Sequence, residues 1–268
     1  MCIYNVYIYL MSVPKIVFIV PYRNREKDLE EFRNQMTMIL EDYSANTYKI
    51  LFIHQCDDRA FNRGGMKNIG FLFVKNTYPN DYQNITLVFN DVDTFPREKN
   101  CLQYETTDGN VKHFYGFKYA LGGIVSIKAK DFEKINGFPN FWAWGYEDNE
   151  LQNRVLKNGL TIDRSQFFLL KDEKTNENII RIPESTVRIV NEIEYKKYLS
   201  NINDGIQSIG ELEYNYDATA GFVNVSNFTL PHTHVTMFDK QFDLRQSLSP
   251  FPRGRKNPIM NMLYMGKN

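Results

Sequence analysis

Cysteine is nearly absent from this chain. Three residues in 268, Cys2, Cys56 and Cys101, are too few and too scattered for a disulfide framework or a zinc site. A reducing compartment is the simpler setting. Net charge is absent too: 32 basic residues face 32 acidic ones, so no global field favours nucleic acid or an anionic membrane. A long apolar run is also missing. The opening stretch from Met1 to Val13 is apolar but carries Asn5 and stops at Pro14, short of the roughly 20 residues that a membrane span needs. No basic region followed by a small-residue cleavage site marks a signal peptide. These absences predict a soluble, cytoplasmic protein with no membrane span and no nucleic-acid partner. They leave the oligomeric state open. Neither an internal repeat nor a low-complexity block interrupts the chain.

What is present reads as one large domain with a small appendage. Lys15 to Val20 is a continuous apolar run typical of a buried strand. Apolar residues at helical spacing follow through Leu29, Phe32, Met36, Ile39 and Leu40. Tyr48 to Ile53 reads as a second strand, a helical run reaches about Lys75, and Ile85 to Phe89 is a third strand. Strand and helix in alternation predict an α/β class: a mixed, mostly parallel sheet flanked by helices. Tyr119 to Ile127 reads as a glycine-broken strand and Asp131 to Ile135 as a short helix. Leu151, Val155 and Leu156 mark one face of a helix ended by Gly159. The predicted division is a catalytic core over residues 1–164. An extension over 165–268 would carry a small sheet built from runs such as 178–182, 186–190 and 222–225.

Polar clusters fall where the strands end. Pro21, Arg23 and Arg25 follow the first strand, His54 and Asp57 the second, and Asp91, Val92 and Asp93 the third. In open α/β sheets ligands bind outside the carboxyl ends of the strands, which makes these clusters one candidate pocket. Asp91 and Asp93, two apart, suit a hard divalent ion such as Mg²⁺ or Mn²⁺ bridging phosphate oxygens. Solvated loop acids are the plain alternative. Arg23, Arg25 and Arg63 could clamp phosphate through forked donors or simply pair with nearby acids. Phe61 could stack on a base or enter the core. His232 and His234 form a His-x-His pair, which offers imidazole to a transition metal or sits at the surface after Pro231. Trp142 and Trp144, the only tryptophans, precede Gly145, Glu147 and Asp148. Aromatic rings give a sugar an apolar face, and a carboxylate beside them can take a proton from a sugar hydroxyl. A hydrophobic plug followed by acidic first-turn residues of a helix fits the same stretch.

Taken together, these motifs resemble the β-1,4-galactosyltransferases. The resemblance rests on residues 21–25, 61–63 with 68–71, 89–93, Gly122 with Gly123, and 136–148, in the family's order. It spans about Val13 to Arg164. It implies a GT-A fold, a UDP-sugar donor, Mn²⁺ (or Mg²⁺) and inversion at the anomeric carbon. By the same resemblance, Pro21, Arg23, Arg25, Phe61, Arg63, Asp91, Val92, Asp93, Gly122, Gly123 and Trp144 would hold the UDP-sugar. Trp144 would sit in a mobile loop and share the glycan acceptor with Gly145, Asp148 and Asn149. Asp148 would be the catalytic base, with Glu147 beside it, and Asp93 would bind the metal.

Three departures qualify the resemblance. Asn149 stands where the family usually has a second aspartate. Ala120 replaces a bulky aromatic residue, which leaves room for an N-acetyl group and makes UDP-GalNAc as well as UDP-Gal a candidate donor. No histidine follows Asp148 until His232, so His232 and His234 are the expected suppliers of the family's histidine metal ligand. The leading expectation is a metal-dependent transferase of galactose or N-acetylgalactosamine. A catalytically lapsed UDP-sugar or glycan-binding protein comes second, and a metal-dependent phosphohydrolase third.

Overall fold

The computed structural model describes residues 12–170, 175–182, 185–200, 203–246 and 251. The apolar opening stretch, up to position 11, lies outside them. In chain order the elements begin with β1 (Ile16–Tyr22), α1 (Glu26–Ile39), β2 (Tyr48–Gln55), α2 (Arg63–Thr77) and β3 (Thr86–Asn90). They continue with β4 (Thr94–Pro96), β5 (Asn110–Gly116), β6 (Ile124–Lys128), α3 (Ala129–Lys134) and α4 (Glu147–Lys157). Then come β7 (Thr161–Asp163), β8 (Phe168–Leu169), α5 (Thr175–Asn178), β9 (Ile179–Arg181), β10 (Val187–Asn191) and α6 (Glu192–Leu199). Last are β11 (Gly210–Asp217), β12 (Phe222–Thr229) and β13 (Asp239–Asp243).

The main sheet has the order β11-β12-β2-β1-β3-β6-β5-β7, with β8 paired to β5. Strand β1 is buried along its whole length because both faces are covered. Val17 and Ile19 pack into one core with Met66, Ile69 and Phe89. Ile16, Phe18, Val20 and Tyr22 point the other way, onto Phe32, Met36 and Phe95. The two-residue period of a strand divides one apolar run between two cores.

Strand β1 runs parallel to β2 on one side and to β3 on the other. The strand order therefore reverses at β1, and a crevice opens at the strand ends. That much agrees with the sequence reading. Three features differ. Tyr119 to Gly123 is loop, and β6 begins only at Ile124, since two glycines and a turn leave no continuous run to pair. Strand β5, which bears no clear periodicity, is antiparallel to β6 and parallel to β7. Strand β12 joins the main sheet beside β2, in parallel register, so part of the expected appendage completes the core. The pair β10–β13 and the pair β4–β9 form two small separate sheets.

Candidate active site

The site begins where β1, β2 and β3 end. Arg25, just past β1, places Nη2 3.3 Å from Oδ2 of Asp93. Asp93 is 7% exposed, and its Oδ1 accepts a hydrogen bond from the Thr94 hydroxyl at 2.9 Å. Arg63, the first residue of α2, donates from Nη2 to Oδ1 of Asp91 at 2.6 Å. Its Nε lies 3.6 Å from Oε1 of Glu147. Arg23 turns toward the end of β2 and donates to the carbonyls of Asp57 (2.8 Å) and Arg59. The two aspartates thus meet two different arginines. Burial works against the Asp91 carboxylate, but Arg63, Lys67 and Arg181 outweigh it and hold its pKa below the ordinary value.

Helix α2 carries the second half of the site. Asn62 caps it by accepting from the Gly65 amide at 2.7 Å, while its own Nδ2 donates to the carbonyl of Asn140 at 3.0 Å. Asn68 donates to the Phe138 carbonyl (2.8 Å) and accepts from the Phe138 amide (2.9 Å). Arg154 of α4 donates to the carbonyls of Asn136 and Gly137 at 3.1 and 3.0 Å. These bonds fix the segment leading to α4, whose first residues are Glu147 and Asp148.

Around Asp148 the packing is close. Lys67 Nζ lies 3.2 Å from its Oδ1. On the other side, a methyl carbon placed on Gly122 would come within 2.4 Å of its Oδ2, so only glycine leaves room for that oxygen. Gly123 adopts φ +71°, and its carbonyl accepts from the Asp91 amide at 3.0 Å. The Leu121 amide donates to the Asp148 carbonyl at 2.9 Å. One glycine loop therefore connects the acidic turn after β3 with the start of α4. Although 22% of its side chain is accessible, enclosure by protein raises the pKa of Asp148 to about 6. Lys67 and Arg63 oppose that rise, and Glu147 and Asp91 add to it. A carboxylate poised near neutral pH suits general-base work.

Two models of known families match this chain. The N-terminal region of glycosyl transferase group 7 matches residues 10–105, and the N-terminal domain of galactosyltransferase matches residues 109–178. Together they cover more than half of the chain. The chain belongs to the β-1,4-galactosyltransferase family. Mouse β-1,4-galactosyltransferase 1 is 32% identical over 163 residues, 58% of this chain and 40% of that protein. Drosophila β-1,4-galactosyltransferase 7 is 32% identical over 164 residues, 58% of this chain and 49% of that protein. The chain spans about half the length of the curated relatives it matches. A crystal structure of the Drosophila β-1,4-galactosyltransferase 7 catalytic domain with xylobiose superimposes with a TM-score of 0.59. It is 23% identical and covers 84% of this chain and 98% of the other. The GT-A fold is thereby shared.

Within this galactosyltransferase-family frame, the other predicted residues take varied places. Pro21 is buried inside β1 and Val92 is 6% exposed among core side chains. Phe61 packs, half-buried, on the core beside the α2 entry. The tryptophans part company. Trp142, 2% exposed, stacks on Phe228 at 5.3 Å with the Arg59 guanidinium 4.6 Å from its ring. It is core, not a sugar platform. Trp144 is half-buried, donates its amide to the Ile189 carbonyl at 2.8 Å and packs against the small cluster of Val190, Tyr195 and Phe251. Gly145, at φ +126°, has open space around it. Asn149 donates to the Tyr119 carbonyl at 3.1 Å.

Asp93, His232 and His234 are all described, yet among the described residues no three His, Cys, Asp or Glu side chains gather into a metal-holding group. His234 Nε2 donates to Oδ2 of Asp239, 3.0 Å away, with its ring 5.2 Å from Trp142. His232 lines a cavity of about 240 Å³ with Lys197 and Asp204. The backbone just past β9 reaches Asp93: the Ile182 amide donates to the Asp93 carbonyl at 2.8 Å. The donor set still fits a hard divalent ion. Asp93 supplies buried carboxylate oxygen with Asp91 two residues away, and Mg²⁺-type sites commonly use one or two carboxylates plus substrate phosphate. Lys67 and Arg154 are the site residues that motif reading missed. The one available signal for Lys67 was a single charge in the otherwise uncharged run 64–74. Among the described residues, no helix is long and apolar enough to cross a membrane.

Proposed function

We propose that this chain is an inverting, metal-dependent glycosyltransferase that moves galactose or N-acetylgalactosamine from a UDP-sugar to a hydroxyl of a glycan acceptor. Asp148 carries the reading: it is a carboxyl with a pKa near 6, set beside a small-residue loop and beyond the arginine–aspartate pairs of the strand ends. Family membership supports the donor class. Further support comes from a variant of the Drosophila protein whose crystal structure holds manganese, UDP-Gal and xylobiose.

In this reading Arg23, Arg25 and Arg63 bind the diphosphate and uridine side of the donor through forked donors. Asp93, with Asp91 nearby, would hold Mn²⁺ or Mg²⁺. Such an ion would neutralise charge on the departing diphosphate. Trp144 and Gly145 would close over the donor and acceptor and exclude water. Asp148 takes the acceptor's proton while Glu147 stays paired with Arg63. Ala120, buried at 8% exposure, presents little bulk to the donor sugar, which favours tolerance of an N-acetyl group.

UDP release with Mn²⁺ tests the reading, with UDP-Gal, UDP-GalNAc, UDP-Glc and UDP-GlcNAc offered against a panel of sugar acceptors. Acceptor-stimulated turnover, lost in Asp148→Asn and Asp93→Ala, is the expected result and names the donor. Metal-dependent UDP binding without turnover would point to a lapsed, binding-only protein. Absence of UDP binding would sink the proposal.

A further inference from the structure

Lys67 is a buried lysine with a direct hold on the proposed base. It lies on the inner face of α2, 1% exposed. Its ammonium reaches past the Phe138 ring, 4.4 Å from the centroid, to Oδ1 of Asp148 at 3.2 Å. The same helix grips the segment before the base through Asn62 and Asn68, so the point from which Lys67 extends is fixed. Taking an ammonium out of water is costly. A methionine of similar length could pack on Phe138 without that cost. Packing therefore does not explain a cation here, whereas its carboxylate partner does.

The two oxygens of Asp148 are consequently unlike. Oδ1 faces a full positive charge, and Oδ2 lies against the glycine that leaves it room. We propose that Lys67 is a positioning residue for the base: it holds Oδ1 of Asp148 so that Oδ2, in the space left by Gly122, receives the acceptor's proton. The inference rests on the transferase reading above. In the step concerned, the acceptor O–H bond breaks and its electron pair forms the new bond to the anomeric carbon. The bond from that carbon to the diphosphate oxygen breaks with its pair leaving on UDP, and the proton ends on Oδ2. Lys67 takes no part in that transfer and counters the charges that face Asp148 from neighbouring elements. These are Glu147 on α4 and Asp91 after β3, with Arg63 of α2 as the second cation.

The test compares wild type with Lys67→Met and Lys67→Gln, reading the carboxyl carbon of Asp148 by NMR in uniformly folded, ¹³C-aspartate-labelled protein, assigned with Asp148→Asn. Loss of an opposite charge at this distance moves a carboxylate by about 1–3 units, so the Asp148 midpoint should climb by that amount in both variants. The acid limb of kcat should climb with it, leaving turnover low at neutral pH and restored at higher pH. A merely structural lysine would lower turnover at every pH without moving the midpoint. Should neither variant fold, the wild type still decides: the Lys67 side-chain nitrogen must show a step at the pH where Asp148 titrates. An Asp148 midpoint unchanged in the variants, or a Lys67 signal indifferent to that pH, overturns the proposal. The NMR readings need no turnover, so they stand or fall apart from the transferase assignment, which UDP binding and UDP release judge separately.

Discussion

Asp91 and Asp148 flank the same arginine and are both enclosed by protein, yet their pKa values move in opposite directions. Burial penalises both carboxylates. At Asp91 the penalty is overcome by Arg63 at 2.6 Å, with Lys67 and Arg181 adding to it. At Asp148 the nearer cation is Lys67, at 3.2 Å, and its effect is opposed by Glu147 in the same helix turn and by Asp91 itself. The difference lies in the immediate charges, not in depth. One carboxylate is kept as a standing anion beside Arg63. The other is left near neutral pH, where a group can both accept a proton and release it.

Removing the second carboxylate should have the largest effect. Asp148→Asn keeps the shape and an oxygen for Lys67 but cannot accept a proton. Turnover should drop about 10²–10⁴-fold while UDP binding is preserved. Rates and titrations on the same preparation check this. Wild-type turnover in that variant would strip the contrast between the two aspartates of functional meaning.

Arg63→Met probes the first carboxylate. Breaking a fully buried pair costs about 3–5 kcal/mol, and this partly buried one, with side chains 22% and 21% exposed, should cost a fraction of that. The sign with pH is determined by Asp91. Its folded pKa is depressed, so the stability it contributes is present above the unfolded value and lost as pH falls through the folded one. The gap between wild type and Arg63→Met should accordingly be widest near neutral pH and narrow under acid. Chemical denaturation at several pH values measures it. A gap that stays constant with pH would assign the loss to packing and not to charge.

Much of this arrangement was readable from residues alone, for a physical reason. Buried parallel strands need continuous apolar runs, so 15–20, 48–53 and 85–89 declare themselves, and the polar residues that end them fall at the crevice. Strand β12 was not readable as core. It alternates buried and accessible residues like an edge strand, and its partner β2 lies far away in sequence. The tryptophans show the same limit. Trp142 and Trp144 differ by two positions, and only the distant Phe228 and Arg59 make one of them core. Likewise His232 and His234 formed a good metal pattern, but the place of His234 depends on Asp239, five residues on, and on the ring of Trp142, distant in sequence. Lys67 escaped because a charge within an apolar helix run discloses no partner until Asp148, 81 residues later, is brought beside it.

Gly122→Ala sharpens the contrast sterically, on the Asp148 side alone. Gly122 does not require a left-handed backbone, so the substitution acts through the added methyl, 2.4 Å from Oδ2. Displacing a reacting group by about 1 Å can cost about 10²-fold in rate. That loss should appear in kcat, with UDP affinity and the Asp91–Arg63 pair unaffected. Full activity would mean that Oδ2 is not the working oxygen.

The smallest expected effect comes from Glu147→Gln, and it is the most specific. Glu147 is 6% exposed and pushes the Asp148 pKa upward. Neutralising it removes that push and leaves Lys67 and Arg63 in place. The acid limb of kcat, which the transferase reading ties to ionisation of Asp148, should then move to lower pH, opposite to the direction expected for loss of Lys67. Since activity requires the ionised base, turnover on the acid side should rise relative to its plateau. A pH–rate profile of the variant decides the matter. A limb that stays at its wild-type position would show that the adjacent carboxylate does not raise Asp148, and that burial alone separates it from Asp91.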